Sequence, residues 1–156
     1  MFSIPNSSGK IAAFAGRVFN SENQAKYVNS PETPIYNKSK ILYGLHETKQ
    51  VIRENKSVIV VEGYLDFLQL YQSGIHNCVA VSGTAFTDQH ALQLKRFCNN
   101  VYLAYDGDSA GKAAAIRAGY VLLRTGISAF IVNIPEGLDP DDWVKRDGNT
   151  PFLEAV

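Results

Sequence analysis

VYLAYDGDSAG, residues 101–111, passes from bulky apolar and aromatic residues to two acids and then to small residues. The bulk of Val101–Tyr105 predicts a buried strand. The small-residue run predicts a helix over Ala110–Arg124, capped by Asp108 or Ser109. Gly107, between the acids, permits a tight backbone angle. Asp106 and Asp108 at a strand's carboxyl end repel one another unless a cation sits between them. Hard oxygen ligands suit Mg²⁺ or Mn²⁺. The competing reading is a turn and helix cap that uses two Asp.

The same rhythm extends on both sides of this stretch. Val58–Val61 reads as a strand followed by a helix over Tyr64–Gln72. Cys78–Val81 is a second strand, followed by a helix Asp88–Phe97 that Thr87 caps. Ile127–Ile134 is a fourth strand, with a short helix near Asp141–Arg146 after it. Strands alternating with helices predict an α/β fold, a mainly parallel sheet covered on both faces. Upstream, residues 1–19 read as a hairpin turning at Asn6–Gly9. Its second strand holds Ile11–Phe14, and Gly16 and Arg17 interrupt or end the alternation. Residues 20–40 are polar, hold Pro31 and Pro34, and should be ordered through neighbouring elements. A helix is expected over Leu45–Glu54.

A length of 156 residues suits one domain, or a domain with part of a neighbour, and 46% hydrophobic content supports a core. Two cysteines, Cys78 and Cys98, are too few for a zinc site and read as buried free thiols in a reducing compartment. No apolar run reaches membrane-spanning length and the start is not signal-like, so no membrane partner and a cytoplasmic location are expected. The abrupt start predicts a piece of something larger. Net charge is zero, yet residues 1–56 balance to +4 and residues 57–156 to −4. A basic part facing phosphates and an acidic part holding cations fit that asymmetry, as does ordinary surface scatter.

Ligands of parallel sheets gather beyond the carboxyl ends of the strands. Glu62 follows the first strand, with Asp66 one helical turn on. Asp106 and Asp108 follow the third, and Asp139, Asp141 and Asp142 follow the fourth in LDPDD. Each acid also has an ordinary reading as a helix cap or a solvated side chain. Ser82-Gly83-Thr84 offers backbone N–H groups to a phosphate, or is only a compact strand-to-helix joint. Tyr27, Tyr36 and Tyr43 form no clean exposed stripe, which favours packing over base stacking. The three histidines form no metal-ligand pattern.

These residues resemble a TOPRIM domain, whose signature is a Glu after the first core strand and D-x-D after a later one. More specifically, the chain is similar to the polymerase core of bacterial replicative primases. KYVNSPETPIYNKSKILYGL (Lys26–Leu45), EGYLDFLQLYQSGIHNCVAVSGTAFT (Glu62–Thr87), YDGDSAGKAA (Tyr105–Ala114) and PEGLDPDDWV (Pro135–Val144) carry the resemblance in order. It implies residues 1–56 as part of a smaller basic α+β subdomain. Residues 57–156 would be the TOPRIM domain, a Rossmann-type sheet flanked by helices, with the start of the following segment. It implies Glu62, Asp106 and Asp108 as the catalytic acids, and Asp66, Asp139 and Asp141 beside them as metal-holding residues for Mg²⁺ or Mn²⁺, with no zinc in this piece. Arg17 and Lys26 match the family's basic positions in GR and KY-NSPET, and with Lys38 and Lys40 they are candidates for nucleic-acid or nucleotide phosphates.

The implied activity is RNA primer synthesis on a single-stranded DNA template from ribonucleoside triphosphates, by metal-assisted nucleotidyl transfer. An RNA–DNA primer duplex would be the product-side partner, and a replicative helicase would be met through regions missing here. Lys10 and Ala15 stand where the family commonly has Arg and Gly, which loses a fixed guanidinium fork and a permissive backbone. Two other accounts remain. One is a different TOPRIM enzyme acting on DNA strand breaks, which would need a transesterifying Tyr that the sequence does not single out. The other is a metal-dependent nucleic-acid or nucleotide binding module without catalysis.

Overall fold

The computed structural model describes residues 1–18 and 27–156. Two sheets organise them. Strands β1 (Phe2–Pro5), β2 (Ile11–Arg17) and β3 (Tyr27–Asn29) form an antiparallel sheet in that order. Strands β4 (Ser57–Val61), β5 (Cys78–Ala80), β6 (Asn100–Leu103) and β7 (Ser128–Ile131) form a parallel sheet in the order β5-β4-β6-β7. Helices α1 (Leu45–Asn55), α2 (Tyr64–Gln72), α3 (Asp88–Leu94), α4 (Ser109–Arg124), α5 (Pro140–Asp147) and α6 (Asn149–Ala155) complete the chain.

The central strand β4, SVIVV, is apolar on both faces because both faces are covered. Val58 and Val60 join Leu45, Ile52, Leu94, Leu103 and Leu122 in one core layer. Ile59 and Val61 join Leu70, Trp143 and Phe152 in the other. Alternate residues of one strand thus feed two cores, each fully buried aliphatic side chain adding about 1.5–3 kcal/mol. Helices α1, α3 and α4 lie on the first face, and α2, α5 and α6 on the second.

The antiparallel sheet meets the parallel one through aromatic rings. Phe2 stacks on Tyr64 at 5.0 Å, and Tyr43 meets the same ring edge-on at 4.8 Å. The buried Tyr64 hydroxyl donates to Asn29 Oδ1 at 2.8 Å, and Asn29 Nδ2 donates to the Ser82 carbonyl. Tyr27, Tyr36 and Tyr43 all belong to this packing, as their irregular spacing suggested.

Several elements differ from the sequence reading. β2 does not break at Gly16 and Arg17, because β3 pairs with both: Gly16 faces Val28 and Arg17 faces Tyr27. α3 stops at Leu94 instead of Phe97, where tight turns return the chain toward β6. α6, not expected from the pattern, buries Phe152 against Trp143 at 5.6 Å between ring centres. Cys78 and Cys98 are free and buried. Among the described residues no helix is long and apolar enough to cross a membrane.

Candidate metal centre

The carboxyl ends of β4 and β6 and the loop after β7 open on one cavity of about 910 Å³. Glu62, Asp66, Asp106, Asp139, Asp141 and Asp142 line it. Local chain geometry explains how each acid is held.

Glu62 follows β4 directly and its Oε1 accepts the Asp106 N–H at 3.3 Å, tying the ends of β4 and β6 together. Burial raises its carboxyl above the usual range. The Asp106 N–H opposes that rise, nearby Asp108 adds to it, and Arg117 counters. Asp66 is buried at the start of α2. Its Oδ2 accepts the Gly63 N–H at 2.9 Å and its Oδ1 the Asp141 N–H at 3.3 Å. Burial first, then the charge of Asp139, pushes Asp66 up to about 7. Asp66 therefore fastens α2 to α5 as well as standing in the cavity.

Asp108 caps α4: its Oδ1 accepts the Gly111 N–H at 2.7 Å, and the residue is exposed. It does not line the large cavity, although its charge reaches Glu62. The glycines of DGDSAG are needed for close approach. A Cβ on Gly107 would lie 2.2 Å from the Pro135 carbonyl oxygen, and one on Gly111 would lie 2.2 Å from the Asp106 carbonyl oxygen. Gly107 thus serves by lacking a side chain where the loop after β7 crosses it. It is not among the residues of positive φ, so the conformational freedom that glycine permits is not what the position uses.

In LDPDD, Asp139 caps α5 by accepting the Asp142 N–H at 2.7 Å, with Pro140 in the first turn. The cap brings oxygens of Asp139, Asp141 and Asp142 within 4.8 Å of one another. Among the described residues this is the one group of three such side chains close enough to share a cation. Asp141 Oδ2 also accepts from Lys145 Nζ at 2.6 Å. Glu62, Asp106 and Asp108 are neighbours through the Glu62–Asp106 bond but are not gathered that tightly. Asp142 stands outside the set that the resemblance implied. Its signal was its place three residues after a capping Asp, on the first turn of the same helix.

The basic candidates separate. Arg17 and Tyr27 line the acidic cavity. Lys40 lines a different cavity of about 380 Å³, with Asn6, Ser7 and Gln93. Lys38 lines neither, and Lys26 lies outside the described residues. Gly83 and Thr84 line the acidic cavity, and the Ser82 N–H is taken by the Glu62 carbonyl. Arg117, on α4, also faces the cavity and was not singled out by sequence.

A model described as Toprim-like matches residues 59–144, and one described as the N-terminal domain of the DNA primase catalytic core matches residues 1–49. The chain belongs to the Toprim-like family. It is homologous to the catalytic core of bacterial DNA primases. The DNA primase of Listeria monocytogenes is 41% identical over 156 residues, covering 99% of this chain and 25% of that protein. A DNA primase domain from Pseudomonas aeruginosa superposes with a TM-score of 0.93 at 42% identity, covering 100% of this chain and 49% of that one. A primase catalytic domain bound to single-stranded DNA superposes with a TM-score of 0.88 at 40% identity, covering 99% and 50%. The chain thus spans about a quarter of the length of the curated relative and half of these solved domains.

Proposed function

We propose that this Toprim-like chain is the metal-holding part of a DNA primase, acting in RNA primer synthesis on single-stranded DNA by metal-assisted nucleotidyl transfer. The observation that carries the reading is the meeting of Glu62, Asp66, Asp106, Asp139 and Asp141 around one cavity, from three separate strand ends. Asp142 extends the set. In this reading residues 1–56 are part of a basic subdomain and residues 57–156 the Toprim domain with the start of the next segment. The single-stranded template, ribonucleoside triphosphates and the RNA–DNA primer duplex are the partners, and other regions of the parent protein meet the replicative helicase.

The donor set fits Mg²⁺ or Mn²⁺: all the crowded groups are carboxylate oxygens, and crowding with burial has already pushed one of them up to about 7. When bound, the cation supplies charge against the phosphates of an incoming triphosphate and its leaving pyrophosphate. Glu62 holds the ends of β4 and β6 in register, so that Asp106 and Glu62 present oxygens from a fixed edge. Asp139 shapes the first turn of α5 so that Asp141 and Asp142 face the same space. Arg17 and Arg117 stand at the same cavity as cations for phosphate oxygens.

The test compares this chain with the longer parent chain on a single-stranded template with ribonucleoside triphosphates and Mg²⁺ or Mn²⁺. Asp106→Asn and Glu62→Gln in the longer chain should each abolish primer formation while template binding persists. Undiminished primer formation in both variants would overturn the assignment of these acids. Metal and template binding by the longer chain without any primer would favour the binding-module account.

A further inference from the structure

The two side edges of the parallel sheet are treated differently. At β5 the edge is closed: Tyr43 and Ala80 exchange both backbone hydrogen bonds, and the strand is buried. At β7, among the described residues, no strand pairs on the outer side. The Ser128 and Val132 N–H groups donate inward, to the carbonyls of Asn99 and Leu103. Residues along a strand turn their backbone groups to alternate sides, so the N–H and C=O of Ala129 and Ile131 point out of the sheet. The sequence of β7, SAFI, has no charge or proline, and its register with β6 runs without a bulge. Those are the devices that keep an open edge from pairing.

The side chains of β7 are also those of an interior strand. Phe130 stacks on Tyr102 on one face, with ring centres 5.0 Å apart, and Ile131 stands beside Leu103 on the other. Each is about half exposed. Helix α4 continues the apolar surface. Lys112 and Ile116 share a cavity of about 260 Å³ with Ile131, which sets that side of the helix over the open edge. Ile116, Tyr120 and Leu123 follow one another at four- and three-residue steps, and each is at least half exposed. Arg117 and Val121 look the other way, into the acidic cavity.

A lone extended segment would pair with the strand but leave the helix stripe in water. The occupant must bring a strand and an apolar helix side by side, and β7 with α4 is such a unit. We infer that the β7 edge and the exposed side of α4 form an interface with a second copy of this chain, joined about a twofold axis at Phe130. In that register the two β7 strands run antiparallel. Ala129 of each copy exchanges N–H and C=O bonds with Ile131 of the other, and the Phe130 rings meet across the seam. The α4 helices lie antiparallel on one face with their stripes together. Lys112, the one charge in the stripe, comes beside the last turn of the other copy's α4, where a helix carries partial negative charge. Both acidic cavities stay open, because they lie at strand ends while the seam runs along a strand's side.

Sedimentation equilibrium of this chain should show a concentration-dependent exchange between monomer and dimer. Phe130→Lys and Tyr120→Lys each put a charge into the seam and should weaken the dimer by roughly tenfold or more. Leu92→Lys, at a half-exposed apolar position on α3, should leave it unchanged. Circular dichroism checks the fold of each variant, and Tyr120→Lys carries the test if Phe130→Lys does not fold. Phe130→Cys should give a disulfide-linked dimer on mild oxidation, since facing residues of this kind stand about 4.5 Å apart between Cα atoms, within disulfide reach. Leu92→Cys should not. A chain that stays monomeric at its highest soluble concentration would overturn the interface. So would a dimer that either folded seam variant leaves intact, or one that Leu92→Lys weakens as much.

Discussion

The acidic edge of the sheet and the basic segment at Lys38–Lys40 are fixed to the protein in opposite ways. At the acidic edge the side chains are held. Glu62, Asp66, Asp108 and Asp139 each accept at least one backbone N–H, so their oxygens have set directions. In the basic segment the backbone is held instead. The carbonyls of Lys38, Ser39 and Lys40 accept from His90 Nε2, the Thr87 hydroxyl and Gln93 Nε2, all from α3 or its cap. Among the described residues neither lysine ammonium has a hydrogen bond or an ion pair. The difference matches two chemistries. A hard cation needs oxygens in a defined arrangement, whereas a phosphate chain is met well by point charges on flexible stems.

The comparison breaks most severely at Gly111. Gly111→Ala would put a Cβ 2.2 Å from the Asp106 carbonyl oxygen and force α4 away from the end of β6. A loss of about 3 kcal/mol in urea unfolding is expected. Gly16→Ala, where nothing lies within 4 Å, should change stability by less than ~1 kcal/mol. Equal losses at the two positions would mean that the close approach at the acidic edge is not a constraint.

The basic segment breaks with acid. His90 is buried with Nδ1 accepting the Thr87 N–H and Nε2 facing the Lys38 carbonyl, so it is held as the neutral Nε2–H tautomer. Burial lowers it to about 4. The unfolded chain binds this proton near pH 6.5 and the folded chain only near 4. The contribution is therefore complete above about pH 6.5 and is lost as pH falls through 4, by roughly 3 kcal/mol at most. Unfolding measured from pH 7 to 4 should show a shallower decline in His90→Gln than in the unsubstituted chain. Parallel declines would show that this histidine does not set the acid sensitivity.

A smaller effect separates capping from metal holding. Asp139→Ala should cost about 1 kcal/mol of stability by removing the cap of α5. Asp142→Asn keeps that cap and should stay within about 0.5 kcal/mol. Both should weaken Mn²⁺ binding measured by calorimetry, and unchanged affinity in Asp142→Asn would remove that residue from the cation site. Lys38→Gln and Lys40→Gln should leave stability nearly unchanged. Each should weaken single-stranded DNA binding uniformly across sequences and reduce its salt slope by about 1.

The acids of the edge were legible because strand, acid and helix follow one another within a few residues, and the three groups sit at equivalent strand ends. The partners of those acids were not legible. Asp66 is joined to the Asp141 N–H across 75 residues, and no local pattern marks such a bond. Gly107 read as a turn residue, yet its role is to let the Pro135 carbonyl pass close by. β3 was missed because three residues in a polar stretch carry too little pattern. Its strand character comes from pairing with β2.

Periodicity and residue type alone determined the mainly parallel α/β sheet covered on both faces and the acidic edge, since these depend on interactions within short stretches of chain. Only the tertiary structure decided the order of the strands, which acids share a cavity and which of them are also fasteners. Those properties arise where separate elements meet, and the distance between two side chains on different strands is set by packing rather than by their separation in sequence.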